Sequence, residues 1–175
     1  VLSQFNIALD AEGLTVLSNG TLVVGGGVSN TIAFVSQTGT ILSSFTPVAQ
    51  VFGLASNATG DRLFGLRISN GVIDTYDLSG NHLGTLTPTT SGFGTTLGLA
   101  YTGSSFYFSS VSTNLVYEMD LAGNVFRSFA APNAFTEGLD FGVQVNAVPE
   151  PASLAMFGLS AVFAGVALRR RKIVS

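Results

Sequence analysis

Side chains that could support catalysis are few and widely spaced in this chain. His82 is the only histidine and there is no cysteine, so a zinc site made from these residue types lacks its usual donors. No spacing indicates a Ser-His-Asp triad, and we expect His82 to be a surface residue. Gly25-Gly26-Gly27 lacks GxGxxG spacing and a following helix, which favours tight packing over a phosphate-binding loop. We therefore expect no catalytic residue, no bound metal and no cofactor.

Two aspartates begin matching stretches of sequence. Asp77 opens Asp-Leu-Ser-Gly-Asn at 77–81, and Asp120 opens Asp-Leu-Ala-Gly-Asn at 120–124. Such a stretch suits a turn whose fourth residue is left-handed, where glycine is favoured. We predict that the aspartates cap their turns. Binding of calcium by the same carboxylates is the alternative.

The carboxyl-terminal residues differ from the rest in composition. Residues 152–168 carry no charge, and as a helix at ~1.5 Å per residue they would extend about 25 Å, the short end of what crosses a bilayer. A buried core helix is the alternative, but the cations that follow directly are typical of a membrane helix. We predict a transmembrane helix over 152–168 and a cytoplasmic basic tail at 169–175. The orienting cations are Arg169, Arg170, Arg171 and Lys172.

A short linker at 146–151 precedes the predicted helix. Its Pro149 and Pro151 flank Glu150. Proline lacks a backbone donor and restricts the residue before it, so this stretch is predicted to be extended and to join neither sheet nor helix.

The charge balance of the remaining residues excludes one class of partner. The whole chain of 175 residues has room for about one domain. Three basic and ten acidic residues lie in 1–150, which leaves a net charge of −7 there. A domain this acidic repels phosphate backbones, so we expect no nucleic-acid binding.

Three sets of landmarks recur along residues 1–145. The first comprises Val1–Phe5, Ile41–Phe45, His82–Leu86 and Val125–Phe129. The second comprises Gly13-Leu14, Gly53-Leu54, Gly98-Leu99 and Gly138-Leu139. The third is a turn glycine just before the first set: Gly39, Gly80 and Gly123. Because all three keep one register, they indicate a structural repeat of about 42 residues.

Each repeat has the pattern of four short strands separated by turn residues. Asn19-Gly20 and Asn70-Gly71 are expected to supply the positive φ angles of tight hairpins. Four antiparallel strands per repeat are the blade unit of a β-propeller, so we predict an all-β, propeller-like fold for 1–145. An open solenoid-like arrangement or a sandwich of the same strands is the alternative. The predicted blades are 6–45, 52–86 and 97–129, flanked by strands at 1–5 and 137–143. Within the last two blades the predicted strands are 52–57, 62–68, 72–78, 82–86, 97–102, 105–111, 115–121 and 125–129.

The pattern over 1–145 resembles NHL-like β-propellers, whose blades end in a D-x-x-G-type turn and an outer strand. Propeller enzymes such as lactonases hold a metal at the central channel, and that resemblance makes Glu12, Glu137 and Asp140 candidate ligands. The repeated Glu-Gly-Leu at 12–14 and 137–139 favours a structural role instead. A propeller needs about four blades to close. We therefore expect this sequence to lack amino-terminal blades and a signal peptide.

Val148-Pro149-Glu150-Pro151, an apolar helix and a terminal arginine cluster resemble the PEP-CTERM sorting signal of Gram-negative bacteria. The resemblance implies processing by an exosortase, after transient anchoring in inner-membrane lipid. The body would then be released or attached at the cell surface, where such proteins commonly accompany exopolysaccharide and biofilm systems. Two functions are expected from this: a non-enzymatic interaction scaffold or, alternatively, an exported metal-dependent propeller hydrolase of lactonase type.

Overall fold

The structure, a computed structural model, describes residues 4–131, 138 and 139. They belong to the first of two compact units, which spans Val1–Phe141. The other unit is Gly142–Ser175, and none of its residues is among those described. The predicted linker, transmembrane helix and basic tail therefore lie outside the described residues, as does most of the predicted strand at 137–143.

Twelve strands in three antiparallel sheets form the regular structure of the described residues. Sheet 1 contains β1 (Ala11–Val16), β2 (Leu22–Gly26), β3 (Thr31–Val35) and β4 (Ile41–Phe45). Sheet 2 contains β5 (Val51–Ser56), β6 (Arg62–Arg67), β7 (Ile73–Asp77) and β8 (His82–Leu86). Sheet 3 contains β9 (Thr96–Tyr101), β10 (Ser105–Ser110), β11 (Leu115–Asp120) and β12 (Val125–Ala130). Neighbours in each sheet are consecutive in sequence.

For the described residues, the prediction of an all-β fold built from four-stranded units is confirmed. Every predicted strand limit in sheets 2 and 3 lies within one residue of the observed limit. At the amino terminus the structure differs, because Gln4 and Phe5 are not in a strand and sheet 1 begins only at Ala11. Both residues of Asn70-Gly71 have positive φ, at 64° and 68°. At Asn19-Gly20, only the glycine does, at 82°.

No helix in the described part of the chain is long and apolar enough to cross a membrane.

Successive sheets pack face to face because side chains alternate along each strand. In β6, Leu63 faces sheet 1 and contributes to a cluster with Val23 and Ile32. The next residue, Phe64, faces sheet 3 and packs in a second cluster with Phe106. Sheet 2 is therefore covered on both faces by its neighbours in sequence.

The Gly-Leu landmark marks where the first strands of adjacent sheets approach each other. A Cβ atom at Gly13 would lie 2.9 Å from the backbone oxygen of Phe52 on β5. One at Gly53 would lie 2.6 Å from the backbone oxygen of Leu97 on β9. Both distances are far shorter than an ordinary contact, so only glycine lets these strands pack at this spacing. The inter-sheet packing explains why the glycine recurs.

The turn glycine of one sheet contacts the aromatic residue at the end of the preceding outer segment, so the other two landmarks also meet. A Cβ atom at Gly80 would lie 2.5 Å from Cγ of Phe45, the last residue of β4. The turn glycine of sheet 1 has the same relation to Phe5, since a Cβ atom at Gly39 would lie 2.6 Å from Cδ2 of Phe5. Each aromatic ring thus covers the turn glycine of the sheet that follows it.

Candidate functional site

The residues predicted to carry the sorting signal are Val148, Pro149, Glu150, Pro151, Arg169, Arg170, Arg171 and Lys172. All of them lie outside the described residues. Of the candidate metal ligands, Glu137 and Asp140 also lie outside them. Glu12 is described and is exposed on β1. Among the described residues, no three histidine or acidic side chains come together as a group that could hold a metal ion.

Asp77 and Asp120 cap their turns, as predicted. Asp77 Oδ1 accepts the backbone N–H groups of Ser79 and Asn81, both at 2.9 Å. Its Oδ2 accepts the side-chain amide of Asn81 at 2.8 Å. These hydrogen bonds, the one from the Asn81 side chain foremost, hold the pKa of Asp77 below its ordinary value. The carboxylate is therefore used to close the hairpin between β7 and β8.

The turn between β11 and β12 has the same geometry. Asp120 Oδ1 accepts N–H groups from Ala122 and Asn124 at 2.9 and 2.8 Å, and the Asn124 side chain reaches Oδ2 at 2.9 Å. In sheet 1 a hydroxyl replaces the carboxylate, since Ser36 Oγ accepts the N–H of Thr40 at 3.1 Å. A neutral cap supports the same turn, which indicates that the charge of the aspartates is not required for it.

The structure assembles two polar clusters that the sequence did not predict, and the first is centred on Asp74 in β7. The Asp74 side chain is fully buried, and Arg67 binds it with two hydrogen bonds, Nε to Oδ2 at 2.7 Å and Nη2 to Oδ1 at 2.9 Å. Thr85 donates its hydroxyl to Oδ1 at 2.7 Å. His82 is exposed, as expected, and its Nε2 lies 3.1 Å from the same oxygen, at the edge of the cluster.

Opposing effects decide the ionisation of Asp74. Burial by itself raises the pKa of a carboxyl group, because it removes the charged form from water. The hydrogen bonds from Arg67, Thr85 and His82, together with the charge of Arg67, outweigh burial and leave the pKa of Asp74 below its ordinary value. Asp74 is therefore an ionised, fully partnered carboxylate at neutral pH.

This cluster is particular to sheet 2. Asp74 pairs across the strands with Thr85. The corresponding pair is Ala33 with Ser44 in sheet 1 and Tyr117 with Ser128 in sheet 3. One sequence signal could have located it: the Asn70-Gly71 turn sets the register of β6 and β7. That register places Asp74 opposite Gly65, diagonal to Arg67 on the same face.

A second buried carboxylate lies in sheet 3. Glu118 is only 7% exposed. Its carboxylate accepts hydrogen bonds from Nε of Arg127 at 2.7 Å and from Oγ of Ser105 at 3.1 Å. Arg127 also donates from Nη2 to the hydroxyl of Tyr107 at 2.9 Å. Burial raises the pKa of Glu118, but hydrogen bonds from Tyr107, Arg127 and Ser105 outweigh it and lower the pKa overall.

The chemistry available to these two carboxylates follows from their partners. A general acid needs a raised pKa, and a metal ligand needs oxygen atoms free to coordinate. Asp74 and Glu118 have lowered pKa values, and their oxygen atoms already accept charged hydrogen bonds. Both are suited to holding strands together rather than to proton transfer.

The carboxyl terminus matches a known family. Residues 147–172 match the family described as the PEP-CTERM protein-sorting motif. The matched range contains Val148–Pro151, the predicted helix and the cations at 169–172. This protein therefore carries a PEP-CTERM sorting motif, the kind of signal that implies export and handling by an exosortase.

Solved structures of β-propeller type resemble the part of this chain that forms the three sheets. A streptogramin B lyase is 17% identical with a TM-score of 0.55, and the match covers 80% of this chain and 48% of that one. The virginiamycin B lyase of Staphylococcus aureus is 18% identical with a TM-score of 0.51, covering 69% and 41%. The WD40 repeats of RRP9 are 18% identical with a TM-score of 0.54, covering 78% and 43%. At such identities the likeness concerns the fold alone.

The matched part of this chain spans less than half the length of each of these structures. No protein of curated function matches the sequence.

Proposed function

We propose that this protein is an exported exosortase substrate whose repeat domain is a non-enzymatic interaction scaffold at the cell surface or in the extracellular matrix. The match of residues 147–172 to the sorting motif carries the proposal. The scaffold role is supported by Asp74 and Glu118, which pair with arginine, and by Asp77 and Asp120, which cap turns. Exopolysaccharide is the proposed matrix partner.

The carboxyl-terminal residues direct export before the repeat domain can reach its place of function. Residues 152–168 enter the inner membrane of a Gram-negative bacterium, and Arg169–Lys172 stay on the cytoplasmic side because cations are retained there. The body is then across the membrane, with Val148–Pro151 beside the lipid surface. The prolines keep that stretch extended, a form in which an exosortase can bind and cleave it.

Replacing Glu150 tests the proposal. In a host with an exosortase, we expect Glu150→Gln to retain the tail, which intact-mass measurement detects as a product of full length. Glu12→Gln is the matched control, since Glu12 lies outside the motif and is exposed on β1. Normal removal of the tail in Glu150→Gln would contradict recognition of this motif.

The competing proposal is a metal-dependent hydrolase of the lactonase type. It is favoured only by the propeller fold that this chain shares with the two lyases. The hypothesis requires a divalent ion bound in stoichiometric amount, with Glu12, Glu137 or Asp140 among its ligands. Elemental analysis of the purified protein separates the two, because a scaffold retains no such ion after dialysis.

A further inference from the structure

The outer strand of each sheet contains a β-bulge at the same place. In β4 the register with β3 shifts, so that Leu42 is not paired with a residue of β3. Leu83 in β8 and Phe126 in β12 are skipped in the same way. A bulge leaves one residue out of the ladder and changes the direction of its side chain. All three sheets therefore interrupt the regular alternation of the outer strand at its second residue.

The side chain at each bulge is large, apolar and exposed. Leu42, Leu83 and Phe126 are 60%, 50% and 60% exposed. A single exposed apolar residue is ordinary on a protein surface. In this protein, however, the bulge residue is apolar in all three sheets, although a bulge does not itself require an apolar side chain. This recurrence favours a surface that contacts an apolar partner.

Two further leucines extend this surface in sheets 2 and 3. Leu78 and Leu121 are the second residues of the turns that Asp77 and Asp120 cap, and they are 40% and 53% exposed. Each turn leads into the outer strand that carries the bulge. We call the five exposed side chains the apolar rim: Leu42, Leu78, Leu83, Leu121 and Phe126.

The apolar rim lies at one end of the three sheets. Every sheet has the same strand order, and each outer strand begins just after the turn that joins it to the third strand. A Cβ atom added at Gly13 would meet the backbone of residues 52–54, and one at Gly53 would meet Leu97 and Leu99. Equivalent positions of the first strands therefore lie side by side. The corresponding turns are at the same end, where one extended surface can contact all of them.

The charges near the rim restrict the kind of partner. The cations among the described residues are Arg62, Arg67 and Arg127, and each pairs with an acidic side chain. Asp77 and Asp120 lie beside the rim, and hydrogen bonds from the asparagine side chain of each turn foremost hold their pKa values below the ordinary value. A second copy of this acidic chain is therefore repelled, whereas a zwitterionic lipid surface has no net charge.

The sorting motif supplies a lipid surface close to the sheets. It implies transient anchoring in a membrane, and the matched range begins at residue 147. Residues 132–146 connect Ala131 to that range, and at ~3.5 Å per residue this connection extends to at most about 55 Å. While the tail is anchored, the three sheets therefore experience a high effective concentration of lipid.

We propose that the apolar rim is a docking surface for a zwitterionic lipid bilayer, which the repeat domain contacts while the chain is still anchored. The leucine and phenylalanine side chains enter the boundary between head groups and acyl chains. Because the rim has no cation to attract anionic lipid, the contact depends on the tether and ends when the tail is removed. The proposal rests on the proposed function for the anchoring, and it assigns a separate lipid contact to the described sheets.

Site-directed fluorescence tests this contact in the chain of residues 1–175 reconstituted in phosphatidylcholine vesicles. Leu83→Cys and Val48→Cys form a matched pair, since the two residues are 50% and 57% exposed and the chain contains no other cysteine. Val48 lies in the connection between β4 and β5, at the opposite end of the sheets. After labelling with the NBD fluorophore, we expect lipid spin-labelled near the head group to quench residue 83 about threefold more strongly than residue 48.

The possible results separate this proposal from the proposed function. Equal quenching at both positions, in chains that float with the vesicles, would overturn the docking and leave the anchoring intact. A chain that does not float with the vesicles would contradict both. An NBD signal at residue 83 that rises with protein concentration in the absence of vesicles would assign the rim to a second copy.

Hydroxyl-radical footprinting of the unmodified chain makes the test independent of how the variants fold. It compares Phe126 with Val48 in the presence and absence of vesicles. We expect vesicles to protect Phe126 and to leave Val48 as reactive as before. Equal reactivity of Phe126 under both conditions would overturn the docking.

Discussion

Sheets 2 and 3 each bury a carboxylate against an arginine, but on opposite faces. Asp74 lies on the face of β7 that also carries Tyr76, which packs toward sheet 1. Glu118 lies on the face of β11 opposite to Met119, whose side chain packs toward sheet 2. Arg67 is 34% exposed and Arg127 is 60% exposed, so the sheet 2 pair is more fully enclosed.

This contrast shows that a repeat fold contains residues that recur in every sheet and residues that occur in one sheet only. The glycines and turn caps recur because every sheet has the same backbone contacts to make. The ion pairs do not recur, because a buried pair needs two complementary side chains at one site and nothing in the backbone demands it elsewhere. Gly13 and Gly53 therefore set the spacing between successive sheets, whereas Asp74 and Glu118 stabilise one sheet each.

The largest effect is expected at Asp74. Asp74→Ala removes the acceptor of three side chains and leaves Arg67 without its partner, which costs about 3 kcal/mol of unfolding free energy. Glu118→Ala is the comparison, and its loss should be smaller because Arg127 can return to water more easily. Urea unfolding of both variants measures the difference. Equal losses would show that enclosure does not distinguish the two pairs.

The next effect concerns the recurrent glycines. Gly53→Ala inserts a Cβ against the backbone of β9, so the sheets must separate, at a cost of about 2 kcal/mol. Gly84→Ala on β8 is the control, since a Cβ there meets nothing within 4 Å. Thermal denaturation should show a lowered midpoint for the first variant only. A midpoint unchanged in both would remove the packing explanation for the Gly-Leu landmark.

Acid should weaken the fold through the same carboxylates. Asp74 has a lowered pKa in the folded protein, so its contribution is complete above its unfolded pKa of about 3.9 and is lost as the pH falls through the folded value. Asp74→Asn should flatten that part of the stability curve. Midpoints measured from pH 7 down to about pH 2 test this, and an Asp74→Asn curve parallel to the wild type would contradict it.

The smallest effect is expected at the turn caps. Asp120→Ser should leave stability almost unchanged, because Ser36 caps the equivalent turn of sheet 1. Asp120→Ala removes the acceptor for two backbone N–H groups and should lower the melting midpoint slightly. If the serine variant melts as low as the alanine variant, the carboxylate charge matters after all.

Most of the fold could be predicted from the sequence because its determinants are local and periodic. The strand limits of sheets 2 and 3 follow from turn residues such as Asp77 and Gly80, which act within a few positions of themselves. The sorting motif was equally accessible, since its order of residues is contiguous.

The polar clusters were not predicted because they depend on strand register and burial together. His82 and Asp74 are eight residues apart and meet only because β7 and β8 pair with Tyr76 opposite His82. The exposure of Leu14 was equally hidden, since its Gly-Leu pair matches that of Leu54. Leu14 is 60% exposed and Leu54 only 3%, a difference that depends on which sheets pack against each of them.

The contact of Phe5 with Gly39, repeated by Phe45 with Gly80, has a direction along the chain. In each case the ring is synthesised before the glycine that it covers. As the polypeptide emerges from its amino terminus, the last hairpin of sheets 1 and 2 therefore meets an aromatic side chain that has already been synthesised, so these sheets can be added in the order in which they appear.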